Sequence, residues 1–163
     1  MPGPYYVRLG VRSSQGGKGV FIHNRVPANT RIMEFTGKRF NRSMLDRAVR
    51  LNKPDYYLQV GENEFMVDSG GMDDYVNHSC NPNCGLEFDG GRIFLKSLRH
   101  ISFGTELTFD YATTQENFPL RFTCGCGEQD CRGDIGNFDE LPDWKKQYYL
   151  SWNVVAPYLV KGV

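Results

Sequence analysis

The chain has 163 residues, with 19 lysines and arginines against 19 aspartates and glutamates, and a pI of about 6.8. That is the size of one domain able to bury its own core, and its balanced charge excludes the broad basic field that non-specific nucleic-acid binding needs, though not a local patch. No apolar run approaches the roughly 20 residues of a membrane span, and the N-terminus lacks the pattern of a signal peptide, so the chain reads as soluble.

In chain order, short β-type runs broken by Gly, Asn and Asp predict strands at residues 5–12, 20–23, 31–36, 56–60, 65–68, 85–88, 92–97 and 106–111. Residues 41–52 predict a helix: Asn41 or Ser43 supplies the cap, and Met44, Leu45, Ala48, Val49 and Leu51 recur at helical spacing. Residues 88–92 form a hairpin signal, with Asp89-Gly90 as the tight turn. The tail from 141 to 158 reads as mainly helical, and its segment 143–152 is amphipathic enough to cover part of the domain. The expected class is mainly β, with a helical insertion in the middle and a helix near the C-terminus.

Five cysteines cannot all pair within one chain. Three of them crowd into Cys124-Gly-Cys126-Gly-Glu-Gln-Asp-Cys131. Glycines beside the sulfurs let the backbone curl, and this spacing suits three ligands of a tetrahedral zinc better than buried thiols or one disulfide. A fourth ligand must come from elsewhere, with Cys80 and Cys84 both available. Those two lie in Asn77-His78-Ser79-Cys80-Asn81-Pro82-Asn83-Cys84, which reads as a polar loop or short helical turn ordering groups around a ligand. A Cys-His-Ser nucleophilic device is disfavoured there, because the side chains of adjacent residues diverge.

Taken together, the motifs resemble the SET-domain lysine methyltransferases. Asn77 to Asn83 resembles the family's "NHSCxPN" signature, Glu106-Leu107-Thr108-Phe109-Asp110-Tyr111 its "ELTFDY", and Cys124-x-Cys126-x4-Cys131 followed by Arg132-Gly133 its post-SET cysteine cluster. Gly17-Lys18-Gly19-Val20-Phe21 is similar to the "GxGVF" turn, and Glu34-Phe35-Thr36-Gly37 to the "EYxG" strand end. The motifs occur in family order from about residue 5 to 135. The resemblance implies several small curved sheets with a C-terminal pseudoknot that brings the two signatures together. It divides the chain into a SET domain at 5–112 with an insertion at about 38–55, a post-SET zinc segment at 120–136 and a helical extension at 137–163.

The resemblance also implies S-adenosylmethionine as methyl donor, S-adenosylhomocysteine as product, and one structural zinc held by Cys80, Cys124, Cys126 and Cys131, with Cys84 left as a buried thiol. Tyr111, Tyr57 and Phe109 would line a lysine channel, with Tyr111 as the catalytic tyrosine orienting the amine. Gly17, Lys18, Gly19, Tyr57, Asn77, His78 and Phe122 would hold the cofactor. Phenylalanine at Phe109, where a tyrosine restricts some relatives to one methyl, implies di- or trimethylation. The implied partner is a protein presenting a lysine in an extended segment, a histone tail above all, with a non-histone substrate or a weakly active partner-binding module as alternatives. Neither specific nucleic-acid binding nor a membrane is expected, and the oligomeric state stays open. The implied location is the nucleus or chromatin in a eukaryote or for a host-directed effector, and the cytoplasm otherwise. One stretch, residues 67–76, is shorter than the usual pattern. Its Asp74 stands where arginine is common and its Gly71 where asparagine is common, and Asp73 and Asp74 are candidates to meet a basic peptide.

Overall fold

The computed structural model describes residues 6–53, 56–118 and 121–161. Residue 5 of the first expected strand, residues 54–55 of the insertion, residue 120 at the start of the zinc segment and residues 162–163 of the tail lie outside them.

Twelve short strands and two short helices make up the described chain. Strands β1 (Leu9–Ser14) and β2 (Gly17–Ile22) form an antiparallel hairpin. β3 (Arg31–Phe35) is followed by β4 (Lys38–Phe40), helix α1 (Arg42–Arg50), β5 (Tyr57–Gly61) and β6 (Glu64–Val67). β7 (Asn77–His78), β8 (Cys84–Asp89), β9 (Arg92–Ser97) and β10 (Thr108–Phe109) come next, and β11 (Phe122–Thr123), β12 (Asp134–Ile135) and α2 (Asp143–Ser151) end the set. The sheets are small, with orders β1-β2, β3-β9-β8, β4-β6-β5, β7-β10 and β11-β12.

The expected central strands match to within a few residues, because alternation of β-branched and aromatic residues marks them locally. The differences have physical causes. Around the hairpin, Asp89 pairs with Arg92 as the last rung, so Gly90 and Gly91 make the two-residue turn, both at positive φ (56° and 82°). Helix α1 starts one residue inside the Asn41 cap, whose Oδ1 accepts the Met44 N–H at 2.9 Å. The 106–111 strand is broken by changing partners. Residues 105–107 hydrogen-bond to β2, β10 pairs with β7, and Asp110 then caps a 3-10 turn at Tyr111–Thr114. The tail is helical only over α2: Asn153 turns left-handed at φ 54° and Pro157 opens a separate 3-10 turn.

Three apolar clusters hold this together. The largest, with Val20, Ile22, Leu86, Leu95 and Leu107 fully buried, lies under the β1-β2 and β3-β9-β8 sheets. A second joins Leu98 and Ala112 to Leu141, Tyr149, Val154 and Val155 around α2. A third seats Leu45 of α1 on Phe65 and Val67, against Tyr57 and Phe118.

The β7-β10 pair positions the site. It is parallel, matching Thr108 with Asn77 and Phe109 with His78. Segments about 30 residues apart are thereby fixed side by side, as the resemblance implied for the two signatures.

The C-terminal segment closes on this framework at Gly85, where an added Cβ would sit 2.6 Å from Val154 Cβ. Gly85→Ala should therefore overpack the β8–Val154 contact and destabilise the protein by about 1–3 kcal/mol, measured by thermal or urea unfolding.

Candidate active site and cysteine centre

Tyr111 sits at the junction of the paired segments. It lies on a 3-10 turn, not on the strand expected for it, and is held at both ends. Its backbone N–H donates to His78 Nδ1 at 3.1 Å, and its hydroxyl donates to the Val76 carbonyl at 2.8 Å. These partners flank Asn77, so tyrosine and first signature share one place. Burial, with Tyr56 and Glu106 nearby, pushes the phenol above its ordinary pKa and keeps it neutral.

Aromatic rings surround it. Phe109 is 4.8 Å from Tyr111 between centroids, His78 5.3 Å and Phe122 5.7 Å. Tyr57 and Phe118 stack at 5.7 Å. Tyr57, Phe109, Tyr111, Phe118 and Phe122 line a cavity of about 380 Å³ floored by Met66 and Val76. Such a passage suits an apolar stem with a cation or amine at its end.

The remaining predicted cofactor residues form a separate group. Asn77 Nδ2 donates to the Lys18 carbonyl at 2.8 Å and to Glu106 Oε1 at 2.8 Å, which ties the Gly17-Lys18-Gly19 segment to β7. Gly17, Lys18, Gly19, Asn77 and His78 do not line the aromatic cavity, whereas Tyr57 and Phe122 do. The His78 side chain is only 3% exposed, with Nδ1 accepting from Tyr111 and Nε2 3.3 Å from Cys80 Sγ. Burial is the main reason its pKa falls to about 4; Asp110 opposes the shift, and Arg132 and Lys145 add to it. The ring thus joins Tyr111 to the cysteine cluster.

Four sulfurs gather beside it. The Sγ atoms of Cys80, Cys124, Cys126 and Cys131 all lie within 4.8 Å of one another, and Cys80 and Cys124 are 4.0 Å apart. Tetrahedral zinc with bonds of about 2.3 Å needs sulfurs about 3.8 Å apart, whereas a disulfide needs about 2 Å. All five cysteines are free thiols, and the set fits a zinc ion. Burial opposes ionisation and pushes Cys80 up to about 11, while backbone N–H groups of Cys80 and Glu128 bring Cys126 down to about 7. Cys84 is buried in the main core with its thiol pushed up by burial, as expected of the leftover cysteine. His78 and Cys80, two residues apart, do meet, at 3.3 Å between Nε2 and Sγ, because the chain bends after β7. The Cys80 sulfur belongs to the four-thiol cluster, so the pair is not a nucleophilic device.

A match to the "SET domain" family profile spans residues 17–112. The chain belongs to the SET-domain family. It is similar to "Histone-lysine N-methyltransferase, H3 lysine-36 specific" of Cryptococcus neoformans, at 33% identity over 139 residues, which is 77% of this chain and 16% of that protein. It is likewise similar to "Histone-lysine N-methyltransferase, H3 lysine-4 specific" of Aspergillus oryzae, at 31% identity over 75% of this chain and 11% of the relative. The chain thus spans under a fifth of the length of the relatives it matches. Among solved structures, the crystal structure of KRYPTONITE in complex with mCHH DNA, H3(1-15) peptide and SAH shares the fold, with TM-score 0.62 and 24% identity over 80% of this chain and 30% of that one.

Three residues of this SET domain carry roles that reading the sequence missed. The Asp110 carboxylate, fully buried, receives both terminal nitrogens of Arg132 at 2.8 and 2.7 Å and the Tyr149 hydroxyl at 2.9 Å. Glu106 accepts from Ser14 Oγ at 2.8 Å as well as from Asn77. Gln115 lines the cavity, and its Oε1 is buried with no hydrogen-bond partner among the described residues. Asp110 and Glu106 stood inside a recognised motif, but their partners lie 22 to 92 residues away; no local signal marked Gln115. Asp73 and Asp74 line the cavity, yet their oxygens already accept from Thr36, Ser69 and Gly70, so their first task is to shape the short 67–76 loop.

The cysteine centre yields a direct test. Purified protein should carry about one zinc per chain by elemental mass spectrometry. Cys84→Ala should keep that metal, and Cys126→Ser should lose it.

Proposed function

We propose that this chain transfers methyl groups from S-adenosylmethionine to the ε-amine of a lysine in an extended protein segment, with a histone tail on chromatin as substrate. The observation that carries the reading is Tyr111, pinned to His78 and Val76 on either side of Asn77, at the wall of a cavity lined by seven aromatic residues.

The chemistry follows from these groups. When bound, S-adenosylmethionine supplies an electrophilic methyl on a sulfonium and leaves as S-adenosylhomocysteine, the sulfur keeping the bonding pair. The lysine must arrive neutral, because its lone pair forms the new C–N bond. Tyr111 is no base: its hydroxyl is spent on the Val76 carbonyl and its pKa is raised. The lysine proton therefore leaves to water before the amine enters. Tyr57, Phe118 and Phe122 grip the stem and exclude water. The group of Asn77, Lys18 and the adjoining glycines holds the cofactor on the other side of Tyr111. Zinc on Cys80, Cys124, Cys126 and Cys131 would fix the loop leading from Phe122. The relatives named for histone H3 support the choice of substrate.

Tritium transfer from labelled cofactor to core histones and nucleosomes, with the modified site mapped by mass spectrometry, tests the assignment. Label on a lysine is expected, and its absence from every histone preparation would remove the reading. Tyr111→Phe should keep its zinc and its fold while kcat drops by about 10²-fold, since loss of the Val76 bond frees the ring that positions the amine.

Product number rests on Phe109, which is 2% exposed and presents no hydroxyl to the amine. Exhaustive reactions should reach di- or trimethyl-lysine. Phe109→Tyr adds a hydroxyl that holds a water in that space, so the product should shift towards monomethyl-lysine.

A further inference from the structure

The chain's neutrality conceals a partition. Residues 38–53 hold six basic side chains, Lys38, Arg39, Arg42, Arg47, Arg50 and Lys53, against the single acid Asp46. That leaves 13 of the 19 basic residues and 18 of the 19 acidic ones for the rest of the chain. The basic segment is β4, α1 and the turn after it.

Its charge faces outward. Leu45 is 1% exposed and seats α1 on the core, while Lys38, Arg39, Arg47, Arg50 and Lys53 are exposed. Elsewhere, Arg31 is held by Glu87 and Asp89, Arg92 by Glu34 and Arg121 by Glu140, while the exposed Arg8, Arg12, Arg25 and Arg99 have no ion pair among the described residues but do not share one helix. Within the segment, Arg42 is held by Asp46 at 3.0 Å and Arg39 by Glu64 at 3.4 Å. Lys38, Arg47, Arg50 and Lys53 have no ion pair among the described residues. Arg42, Arg47 and Arg50 border one groove with Asn41 and Asn63; Asp46, which also lines it, is paired with Arg42.

We infer that this face binds the phosphate backbone of duplex DNA without reading its sequence. A nine-residue helix is about 13 Å long, a length of duplex axis over which one strand carries about four phosphates. Lysines and arginines with no internal carboxylate release counterions on binding at little cost, which is the main source of such affinity. The position matters as much as the charge. Leu45 packs on Phe65 and Val67, and the same cluster includes Tyr57 and Phe118, two walls of the aromatic cavity. DNA held on α1 would thus be held next to the channel, on the one substrate that carries both a basic tail and a phosphate surface. This deepens the methyltransferase reading and rests on it for its nucleosomal consequence alone.

Fluorescence anisotropy with a labelled random duplex of about 30 base pairs, read between about 50 and 200 mM salt, tests the site directly. Wild type should bind with a steep salt dependence. The triple variant Arg47→Ala, Arg50→Ala, Lys53→Ala should lose about ten-fold or more in affinity and reduce the slope of log K against log salt by about 3. With unlabelled competitors, DNA should win over polyglutamate of equal charge and over anionic vesicles. The same variant should methylate a histone peptide as wild type does and methylate nucleosomes several-fold more slowly. Absence of DNA binding by folded wild type, a variant that binds as wild type does, or stronger competition by polyglutamate or vesicles overturns the proposal. If DNA binds as described while neither peptide nor nucleosome is methylated, the DNA site stands and the methyltransferase assignment fails.

Discussion

A buried carboxylate must be answered by charge and hydrogen bonds, and at Asp110 the answer comes from three separate stretches of chain. Arg132 supplies two N–H groups from beside the cysteine loop, Tyr149 a hydroxyl from α2, and Ala112 its backbone N–H from the 3-10 turn that starts at Tyr111. Desolvating such a pair returns little net stability, but removing either partner leaves an uncompensated charge inside. What the arrangement secures is register. The residue next to Tyr111 cannot move without disturbing the loop of Cys124, Cys126 and Cys131 and the tail, so the tyrosine's place is set in part by Arg132 and Tyr149, which do not line the cavity.

The same tail supports the cysteine centre. Lys145, buried on α2, donates to the Cys80 carbonyl and to Asp130 at 2.8 Å. Backbone N–H groups of Arg132 and Cys126 point at Cys80 Sγ and Cys124 Sγ, at 3.4 and 3.3 Å. Four thiolates around a divalent ion carry a net charge of −2, and these donors, with the Arg132 and Lys145 cations close by, are the outer shell such a site requires. The helix that sequence patterning marked as a cover therefore serves through one lysine and one tyrosine on its buried face. A lysine that is 4% exposed is easily misread as a solvated charge.

What could be read from the sequence divides along range. The central strands, the Asn41 cap and the crowded cysteines are local patterns, and they stand where alternation, capping chemistry and thiol spacing put them. Spacing left Cys80 and Cys84 equivalent; the family resemblance chose Cys80, and the fold brings its sulfur to the other three. β8 carries Cys84 into the main core, and the turn before it leaves Cys80 facing the other three sulfurs. Tyr111 reads as a strand residue because the run from Glu106 is β-like throughout; the break comes from two successive partners and from a cap at Asp110, all tertiary. The parallel pairing of β7 with β10 has no local signature at all, since each strand is only two residues long, and there the order of motifs along the chain carried what periodicity could not.

Glu106 shows how far one side chain can reach across that gap. Its carboxylate accepts from Ser14 on β1 and from Asn77 on β7, and its backbone bridges Phe21 on β2. A Cβ at Gly19 would lie 2.1 Å from Glu106 Oε1. The glycine is therefore required by the carboxylate that occupies the space, not by a need for a flexible hairpin tip; Gly19 sits inside β2, paired with Arg12. Shortening Glu106 would clear the space but release Asn77, whose amide also holds the Lys18 carbonyl. Glycine and glutamate are thus one device split between two motifs about 87 residues apart. It fixes the backbone of the hairpin against the first signature.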